Sequence, residues 1–589
     1  MEEQEKITDQ SSKPEYQIHF SQLAAYGAGG IIPIALFNVA GILVGLMGNI
    51  SLGLSAFWLG AIMIVPRLWD ALSDPLIGHL SDNTRTRWGR RRPYLLLGGI
   101  AVAVSFVIIW WIPKGDMVRA WFPTDSGYHW FQLAYILFSL LIFFTAVNIF
   151  EIPHGALGME MTTDYHERTR LFSAKSFVGN LFAMSTPWLF ALASMEIFKG
   201  PGGNEADGMR YVSLMIAAFL IPLSIWWFFK LREPGFKKAA THEKTPFWKD
   251  MKRTASNRNF IMLTLTIFTL AMGFNFVQLL GSYIPIFYVF GGNKVAGAYL
   301  LGINGTIWAI TGLLAVFPLN WISPKLGKRN TLTIAILLMC LAQLSKIVCY
   351  NPSYPYLIII PTMLLSAGML FFFTLGSSMV GDICDEEELK TGYRAEGSFY
   401  SVFWWFIKMG TALASLVGGA LIVFTMFDET QVTKVDSLQG SVRVLRHEVQ
   451  LHKDGKPSTG NFEELIGQAR TRSNELMSRL EVKSLETKNS KAHYQKLIVE
   501  VKEVNNRLAN LKTTSSPDSL DKELVTIESD IMPLTQQSPY TLLMMRVVEI
   551  GLPLLLSIFS VFFVLRYSLT EKRSHEIKEL LRQRNLAKV

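Results

Sequence analysis

Long apolar segments constrain the fold of this 589-residue chain more than any other feature. They recur from about residue 20 to residue 427 and once more near 541–566, in a chain that is 50% hydrophobic and only 17% charged. Because a bilayer requires about 20 apolar residues per helix, each segment is long enough to cross a membrane. We therefore predict an all-α integral membrane protein. Its twelve expected helices cover residues 20–47, 53–81, 94–113, 131–158, 171–197, 209–230, 259–290, 295–320, 331–350, 355–379, 397–427 and 541–566.

Basic residues between these helices predict their orientation. Five arginines lie between helices 2 and 3, and nine lysines or arginines lie from Lys230 to Arg258, whereas the connection MGNISLG after helix 1 has none. Cytoplasmic loops are rich in Lys and Arg, so both termini are predicted to be cytoplasmic in a plasma membrane, the inner membrane of a bacterium. The net charge of +9 follows from this loop bias. No nucleic-acid partner is predicted.

Asp70 and Asp74 are the most informative residues within the apolar segments. Four residues make about one helical turn, so Arg67, Asp70 and Asp74 lie on one face of a helix. Acids inside a membrane are costly and usually mark ion or substrate pathways. Two acids one turn apart repel each other unless a proton or a metal cation lies between them. The pair predicts a cation-coupled transporter. Alternatively, Arg67 neutralises one aspartate and thereby holds two helices together.

The two halves of the chain repeat weakly. A glycine followed by basic residues comes after helix 2, in HLSDNTRTRWGRRRPYLL, and after helix 8, in WISPKLGKRNTLTI. An acid-rich loop with an arginine follows helix 4 and again helix 10. This repeat predicts a 6+6 architecture with a pseudo-two-fold axis along the membrane normal, as in a major facilitator, with the cargo site between the halves.

This organisation divides the chain into seven predicted segments. They are a cytoplasmic N-terminal tail (1–19), an N-terminal six-helix half (20–230), a cytoplasmic central loop (231–258), helices 7–11 of the C-terminal half (259–427), an extracytoplasmic insertion (428–540), helix 12 (541–566) and a basic cytoplasmic tail (567–589).

The insertion is hydrophilic and 113 residues long. Six of its apolar residues follow the 3-4-3-4-3 spacing of a coiled-coil seam, namely Tyr494, Leu497, Val501, Val504, Leu508 and Leu511. We predict a helical hairpin or a small helical bundle outside the cytoplasm. Its role is open between binding an unknown protein partner, covering the external vestibule, and none.

The segment RLWDALSDPLIGHLSDNTRTRWGRRRP closely resembles helix II and the following loop of the glycoside–pentoside–hexuronide:cation symporters. EIPHGALGMEMTTDYHERTRL and GSFYSVFWWFIKMGTALAS resemble helices IV and XI of the same family. The resemblance covers about residues 20–427 and 541–570. It implies the major facilitator fold, transport of a sugar or glycoside with Na⁺, H⁺ or Li⁺, and no resident cofactor.

The resemblance also implies the residues that hold the coupling cation. They are Asp70, Ser73, Asp74 and Asn148. All four offer oxygen, which suits a hard monovalent cation. Ser73 could instead return its hydroxyl to the helix backbone, and Asn148 could simply join two helices.

The sugar site implied by the resemblance is less complete. The family's helix IV acid falls on Glu151, its helix XI lysine on Lys408, and its helix V arginine on or beside Lys175. Its helix I acid is replaced by Ile34 and its stacking tryptophan by Gly155, so galactoside specificity is not expected. Glu151 and Lys408 could alternatively form a static salt bridge between helices.

Further residues complete the predicted substrate site and gate. His154, Trp404 and Trp405 could refill the pocket, because aromatic faces pack on sugar rings. Arg67 is also expected to contribute to substrate binding. Alternatively, the tryptophans pack internally or face lipid. The residues predicted to act as a conformational gate are Asp82, Arg90, Arg91 and Arg168, where the acid would cap or pair with a neighbouring helix end. The alternative for them is an ordinary basic cytoplasmic loop.

These features favour a cation:sugar symporter working by alternating access. A cation-coupled carrier of lysolipids or other amphiphiles is the second hypothesis, and a transporter-like sensor signalling through residues 428–540 is the third. The sequence has no metal-ligand cluster, nucleotide-binding loop or nucleophile elbow, so no enzyme is predicted.

Overall fold

The structure is a computed structural model, and it describes residues 18–84, 86–161, 165–233, 257–391, 396–454, 461–486, 490–511 and 516–586. Within these ranges the regular secondary structure is helical, including 3-10 turns at Pro355–Ile358 and Met532–Thr535, and there is one isolated bridge between Thr86 and Gly89. The α-helices are α1 (Phe20–Ala28), α2 (Phe37–Ile50), α3 (Ala56–Ile62), α4 (Ile64–Asn83), α5 (Arg92–Trp110), α6 (Asp116–Arg119), α7 (Asp125–Glu160), α8 (Tyr165–Ala183), α9 (Thr186–Ala193), α10 (Glu196–Lys199), α11 (Glu205–Lys230), α12 (Arg258–Gly281), α13 (Lys294–Leu314), α14 (Val316–Leu326), α15 (Lys328–Cys349), α16 (Ile359–Thr391), α17 (Glu396–Phe424), α18 (Glu429–Lys453), α19 (Phe462–Glu486), α20 (Lys491–Asn510), α21 (Pro517–Ile531), α22 (Pro539–Leu565) and α23 (Glu571–Leu586). Two π-helical turns, Ile31–Leu36 and Ile284–Val289, follow α1 and α12.

Eleven helical segments in the described part of the chain are long and apolar enough to cross a membrane. They are Phe20–Ile50, Arg92–Trp110, Asp125–Gly158, Ala174–Ala193, Glu205–Lys230, Arg258–Val289, Lys294–Leu326, Lys328–Cys349, Pro355–Lys390, Phe406–Phe424 and Pro539–Leu565. The predicted second span is also helical, as α3 and α4, but Arg67, Asp70 and Asp74 make it more polar than the others. Twelve spans therefore remain a prediction.

The chain forms two compact units, and the first comprises Met1–Gly41, Leu68–Thr186 and Val212–His242. In its described part, α5 packs along α7 and α1 packs along α8. Gly98 permits the first contact, because a Cβ at this position would lie 2.8 Å from the backbone nitrogen of Phe150. Small residues at such crossings allow membrane helices to approach closely. This packing fixes α7, which carries several predicted site residues.

The second unit comprises Ile42–Arg67, Pro187–Tyr211 and Glu243–Val589. One core lies between α12, α15, α16 and α22 and contains fully buried residues such as Leu332, Ile336 and Phe372. A second core belongs to the predicted insertion, where α18, α19, α20 and α21 form a four-helix bundle.

The predicted coiled-coil spacing marks the buried face of one helix in this bundle. Tyr494, Leu497, Val501, Val504 and Leu508 on α20 all lie in the bundle core, together with Leu511 just beyond the helix. Ion pairs cover the surface, as between Arg446 and Asp521 at 2.9 Å. The insertion is therefore a small bundle rather than a single hairpin.

Candidate cation and substrate site

The acid Asp70 lies buried on α4, with only 3% of its surface exposed. Asn148 of α7 donates its amide Nδ2 to Asp70 Oδ1 at 2.8 Å and to Ser73 Oγ at 3.1 Å. The structure thus brings together three of the four residues predicted for the cation, from two helices that are 75 or more residues apart in sequence.

A second contact holds α4 against α7 next to this cluster. The indole nitrogen of Trp69 donates to Thr145 Oγ1 at 2.8 Å, one position before Asp70 and three before Asn148. Asp74 is half-buried one turn after Asp70 on α4, and Arg67 is half-buried one turn before it. The helix therefore presents two carboxylates and one hydroxyl within about one turn. Such an oxygen set fits a proton or a hard monovalent cation.

Glu151 forms an ion pair within the first unit. Lys175 Nζ of α8 donates to Glu151 Oε1 of α7 at 2.8 Å. The second oxygen, Oε2, is buried and accepts no hydrogen bond from the described residues. A static pair between Glu151 and Lys408 was one possibility left open by the sequence, but in the structure Glu151 pairs with Lys175, which the adjacent α8 brings within reach. Lys408 is half-buried on α17 in the second unit.

Open space lies beside Glu151. Gly155 follows it by one turn on α7, and a Cβ at Gly155 would meet no heavy atom of the described residues within 4 Å beyond its own helix backbone. This is where the family resemblance expected a stacking tryptophan. An unpaired carboxylate oxygen and free volume therefore lie along the same stretch of α7.

His154 is fully buried, with 0% of its surface exposed. Its imidazole stacks on Tyr26 at 4.3 Å and on Phe150 at 5.2 Å between ring centroids. A Cβ at Gly29 would lie 2.2 Å from His154 Nε2, so the backbone of the first helical segment also closes over the ring. The predicted contact between His154 and a sugar therefore finds no open ring face in this structure.

The predicted gate contains an acid that sequence reasoning missed. Glu233 accepts hydrogen bonds from the backbone amides of Arg90, Arg91 and Arg92 at 2.7–2.8 Å, at the N-terminus of α5. Arg91 also donates to Ser81 Oγ at 3.2 Å. The side chains of Asp82, Arg168, Trp404 and Trp405 lie outside the described residues. Glu233 follows α11 in the segment KLREP. In the sequence, only its position just after the sixth predicted span indicated that it could belong to the gate.

A similar close approach of a glutamate to a glycine occurs after the last predicted span of the chain. Gly327 precedes α15 with φ +77°, and a Cβ there would lie 2.9 Å from Glu571 Oε2. Gly89 precedes α5 with φ +112° beside Glu233. Each glycine belongs to one of the two repeated glycine-basic loops, and each acid follows the last predicted span of its half. The contacts therefore support the internal repeat inferred from sequence.

Comparisons with known proteins agree with this architecture. The family described as MFS/sugar transport protein matches residues 25–446. The "Uncharacterized symporter YnaJ" of Bacillus subtilis is 26% identical over 63% of this chain and 75% of its own length. The "Isoprimeverose transporter" of Lactiplantibacillus pentosus is also 26% identical, over 63% of this chain and 73% of its own.

A solved structure shares the fold. It is a bacterial homologue of the human lysosomal transporter Spinster, inward-facing and occupied, with a TM-score of 0.52 and 11% identity over 94% of this chain and 97% of that chain. At this identity the likeness concerns the fold alone. The family match covers well over half of the chain, and the helices that carry Asp70, Asn148 and Glu151 lie within it. The protein is therefore an integral membrane transporter and not an enzyme, and it belongs to the glycoside–pentoside–hexuronide:cation symporter family of the major facilitator superfamily.

Proposed function

We propose that this protein is a cation-coupled symporter of a sugar or glycoside, with its coupling site at Asp70, Ser73, Asp74 and Asn148. The observation that carries the proposal is the buried hydrogen-bonded group in which Asn148 binds both Asp70 and Ser73. A buried carboxylate inside a membrane protein is costly unless it is held by polar partners or serves an ion. Relatives named as symporters and as an isoprimeverose transporter support the same function.

The coupling follows from electrostatics. Without a bound cation, the carboxylates of Asp70 and Asp74 repel each other across one helical turn. A proton or Na⁺ between them removes this repulsion and stabilises the state in which α4 and α7 are closely joined. Because α7 carries Glu151 one turn after Asn148, a change in α7 reaches the cargo site directly. Coupling of this kind is reciprocal, so cargo must raise cation affinity by the same factor as cation raises cargo affinity.

Glu151 and Lys175 are proposed to recognise the cargo. The Glu151 Oε2 atom can accept a hydrogen bond from a cargo hydroxyl, while Lys175 can donate one to a hydroxyl or ring oxygen. A polar pair of this kind favours a hydrophilic cargo over a lysolipid. An intact pair of intramembrane acids likewise favours transport over a pure sensor, which has no need of a coupling cation.

Counterflow in proteoliposomes tests the proposal. Vesicles loaded with an unlabelled glycoside should accumulate the same labelled glycoside, and a Na⁺ or pH gradient should drive concentrative uptake. Asp70→Asn and Asp74→Asn should abolish the concentrative uptake, because the charge that holds the cation is gone. The matched control is Asp530→Asn, whose partner Arg507 lies within the insertion bundle.

Two outcomes would contradict the proposal. Absence of counterflow across a broad panel of glycosides would rule out sugar transport as the function of this protein. If Asp70→Asn or Asp74→Asn accumulated glycoside to the wild-type level, the assignment of the coupling site to these residues would be wrong.

A further inference from the structure

The first helix of the insertion, α18, contacts residues that lie 142 or more positions earlier in the chain. Asp436 of α18 accepts a hydrogen bond from Lys294 Nζ, and only 18% of the Asp436 side chain is exposed. Lys294 begins α13, the predicted eighth span. All of these contacts lie within the second unit, at the end of the membrane helices that carries the insertion, which we call the insertion end.

Lys294 is the centre of a buried cluster of charges. Its Nζ also donates to Glu205 Oε2 at 3.2 Å and to the carbonyl oxygen of Ile50 at 3.1 Å. Glu205 accepts from Ser51 Oγ at 3.0 Å and lies 3.6 Å from Lys199 Nζ. Two lysines and two acids therefore balance each other. They join α18 and α13 to the connections that follow the first and fifth predicted spans.

Backbone contacts extend the same interface along α18. A Cβ at Gly53, where φ is +69°, would lie 3.2 Å from Thr433 Cγ2. A Cβ at Gly440 would lie 2.8 Å from the carbonyl oxygen of Gly202. These glycines allow one helix to lie directly on two turns of the chain, one after the first predicted span and one before the sixth. From Thr433 to Gly440 this contact surface covers about two helical turns of α18.

Spans from the two predicted halves also contact each other at the insertion end. A Cβ at Gly419 of α17 would lie 2.2 Å from the carbonyl oxygen of Ala56 at the start of α3. Tyr283 donates its hydroxyl to Asn49 Oδ1 at 2.9 Å. The insertion end is therefore held by contacts between the predicted N-terminal half, the predicted C-terminal half and α18.

We propose that α18 is a latch that holds the insertion end closed and has to leave Gly53, Gly202 and Glu205 before cargo can pass there. This inference rests on the proposed function, because alternating access requires one half to rock against the other around the central site. Segments of the first half and helices of the second half that are joined by α18 cannot separate while Asp436 holds Lys294 beside Glu205.

The chemistry of the cluster makes such a latch reversible. Burying a balanced set of charges contributes little net stability, since the cost of removing water offsets most of the attraction. Separating the surfaces returns both lysines and both acids to water, where each is well solvated. Removing a single member is different, because it leaves a buried charge without its counter-ion. Asp436 is therefore the residue whose loss should loosen the latch.

Hydrogen exchange on the purified wild-type and variant proteins measures latch opening without any cargo. In Asp436→Asn, the amides of residues 49–55 and 199–205 should exchange about tenfold faster than in wild type, in line with the loss of one charge-assisted hydrogen bond. The matched control is Asp521→Asn, because Asp521 pairs with Arg446 inside the insertion bundle. Unchanged exchange in Asp436→Asn, or equal acceleration in both variants, would overturn the proposal.

A reversible cross-link tests the consequence for transport. A Cβ at Gly53 would lie 3.7 Å from Thr433 Cβ, within the range of disulfides at about 3.5–4.5 Å. Gly53→Cys with Thr433→Cys, in a background where Cys340, Cys349 and Cys384 are replaced by serine, should lose glycoside counterflow on oxidation and regain it on reduction. Gly53→Cys alone controls for strain at this positive φ.

The two proposals fail in different ways in this experiment. Full counterflow by the oxidised, verified cross-linked protein would overturn the latch and leave symport intact. Absence of counterflow in the wild type and in the reduced variant would overturn sugar transport. Hydrogen exchange would then still test whether α18 acts as a latch, because that measurement needs no cargo.

Discussion

The Glu233 carboxylate lies directly against Gly89, where a Cβ would come within 2.9 Å of both carboxylate oxygens. Gly89 has φ +112°, and the three amides that follow it all donate to Glu233. A negative charge at this position neutralises part of the positive end of the α5 dipole and satisfies three amides that have no partner within the helix. The arrangement fixes the start of α5 against the end of α11.

We predict that Gly89→Ala destabilises the protein more than the same change at Gly115. Both glycines have a positive φ, +112° and +104°, so the backbone strain is similar. Gly115 has no heavy atom within 4 Å of the added Cβ, whereas Gly89 faces Glu233. Displacing the carboxylate should therefore lower the free energy of unfolding by about 1–3 kcal/mol more in Gly89→Ala than in Gly115→Ala. Thermal unfolding in detergent measures this difference. Equal losses at the two positions would show that the Glu233 contact contributes nothing.

Asn148→Ala is expected to weaken cation binding by about tenfold or more, because a hydrogen bond to a charged group typically contributes about 1.5–3 kcal/mol. Asp70 and Ser73 would lose the amide that orients them. Isothermal titration with Na⁺, or proton release on cation binding, measures the change. Asn180→Ala is the control, since Asn180 on α8 is exposed and, among the described residues, donates to the backbone carbonyl of Ser176. An unchanged cation affinity in Asn148→Ala would remove Asn148 from the coupling site.

Glu151→Gln should weaken cargo binding far more than cation binding. The substitution keeps the size of the side chain but removes the charge that Lys175 pairs with at 2.8 Å. Lys175 would then lack its charged partner whether or not cargo is bound. The cargo would also lose a carboxylate that accepts hydrogen bonds from its hydroxyls, so we expect cargo affinity to fall about tenfold. Titrating cargo and cation separately tests this prediction. A selective loss of cation affinity would instead place Glu151 in the coupling site.

Residues that lie close together in sequence were the most predictable. Arg67, Asp70 and Asp74 share one helical turn or two, and their polarity within an apolar segment marks them in the sequence, while Ser73 was indicated only by the family resemblance. That they form the coupling site stays a prediction. The buried face of α20 was also predictable, because its apolar residues repeat at helical spacing. The burial of His154 was not, because α7 is apolar on most of its surface and no periodic pattern marks which side is packed.

Contacts between distant segments could not be predicted. Glu233 reaches amides 141–143 residues away, and Lys294 joins Asp436 across 142 residues. Charged residues at the ends of membrane spans have many possible partners of opposite sign, and only the tertiary fold selects among them. Glu233 after α11 and Glu571 at the start of α23 illustrate this, since their matching contacts with Gly89 and Gly327 became evident only when the loops were placed in space.

Burial of Glu429 at the start of α18 predicts a pH-dependent stability. The pKa of this carboxyl is raised from 4.5 to about 7, chiefly by loss of water and also by the neighbouring Asp428, while a backbone hydrogen bond, Arg479 and Lys483 oppose the shift. Below pH 4.5 the group is protonated in the folded and unfolded states and costs nothing. Between that pH and about 7 folding takes up a proton, so the free energy of unfolding falls as the pH rises. Above about pH 7 the penalty is constant.

Glu429→Gln should therefore stabilise the protein at pH 8, by an amount on the order of 2–3 kcal/mol, and by clearly less at pH 5. The amide has the shape of the protonated acid and needs no proton to enter the interior. Thermal unfolding of wild-type and variant protein at the two pH values measures the difference. The control is Glu486→Gln, because Glu486 is 54% exposed and its pair with Lys483 lies on the bundle surface. A gain that is the same at pH 5 and pH 8 would mean that Glu429 is ionised in the folded protein throughout this range.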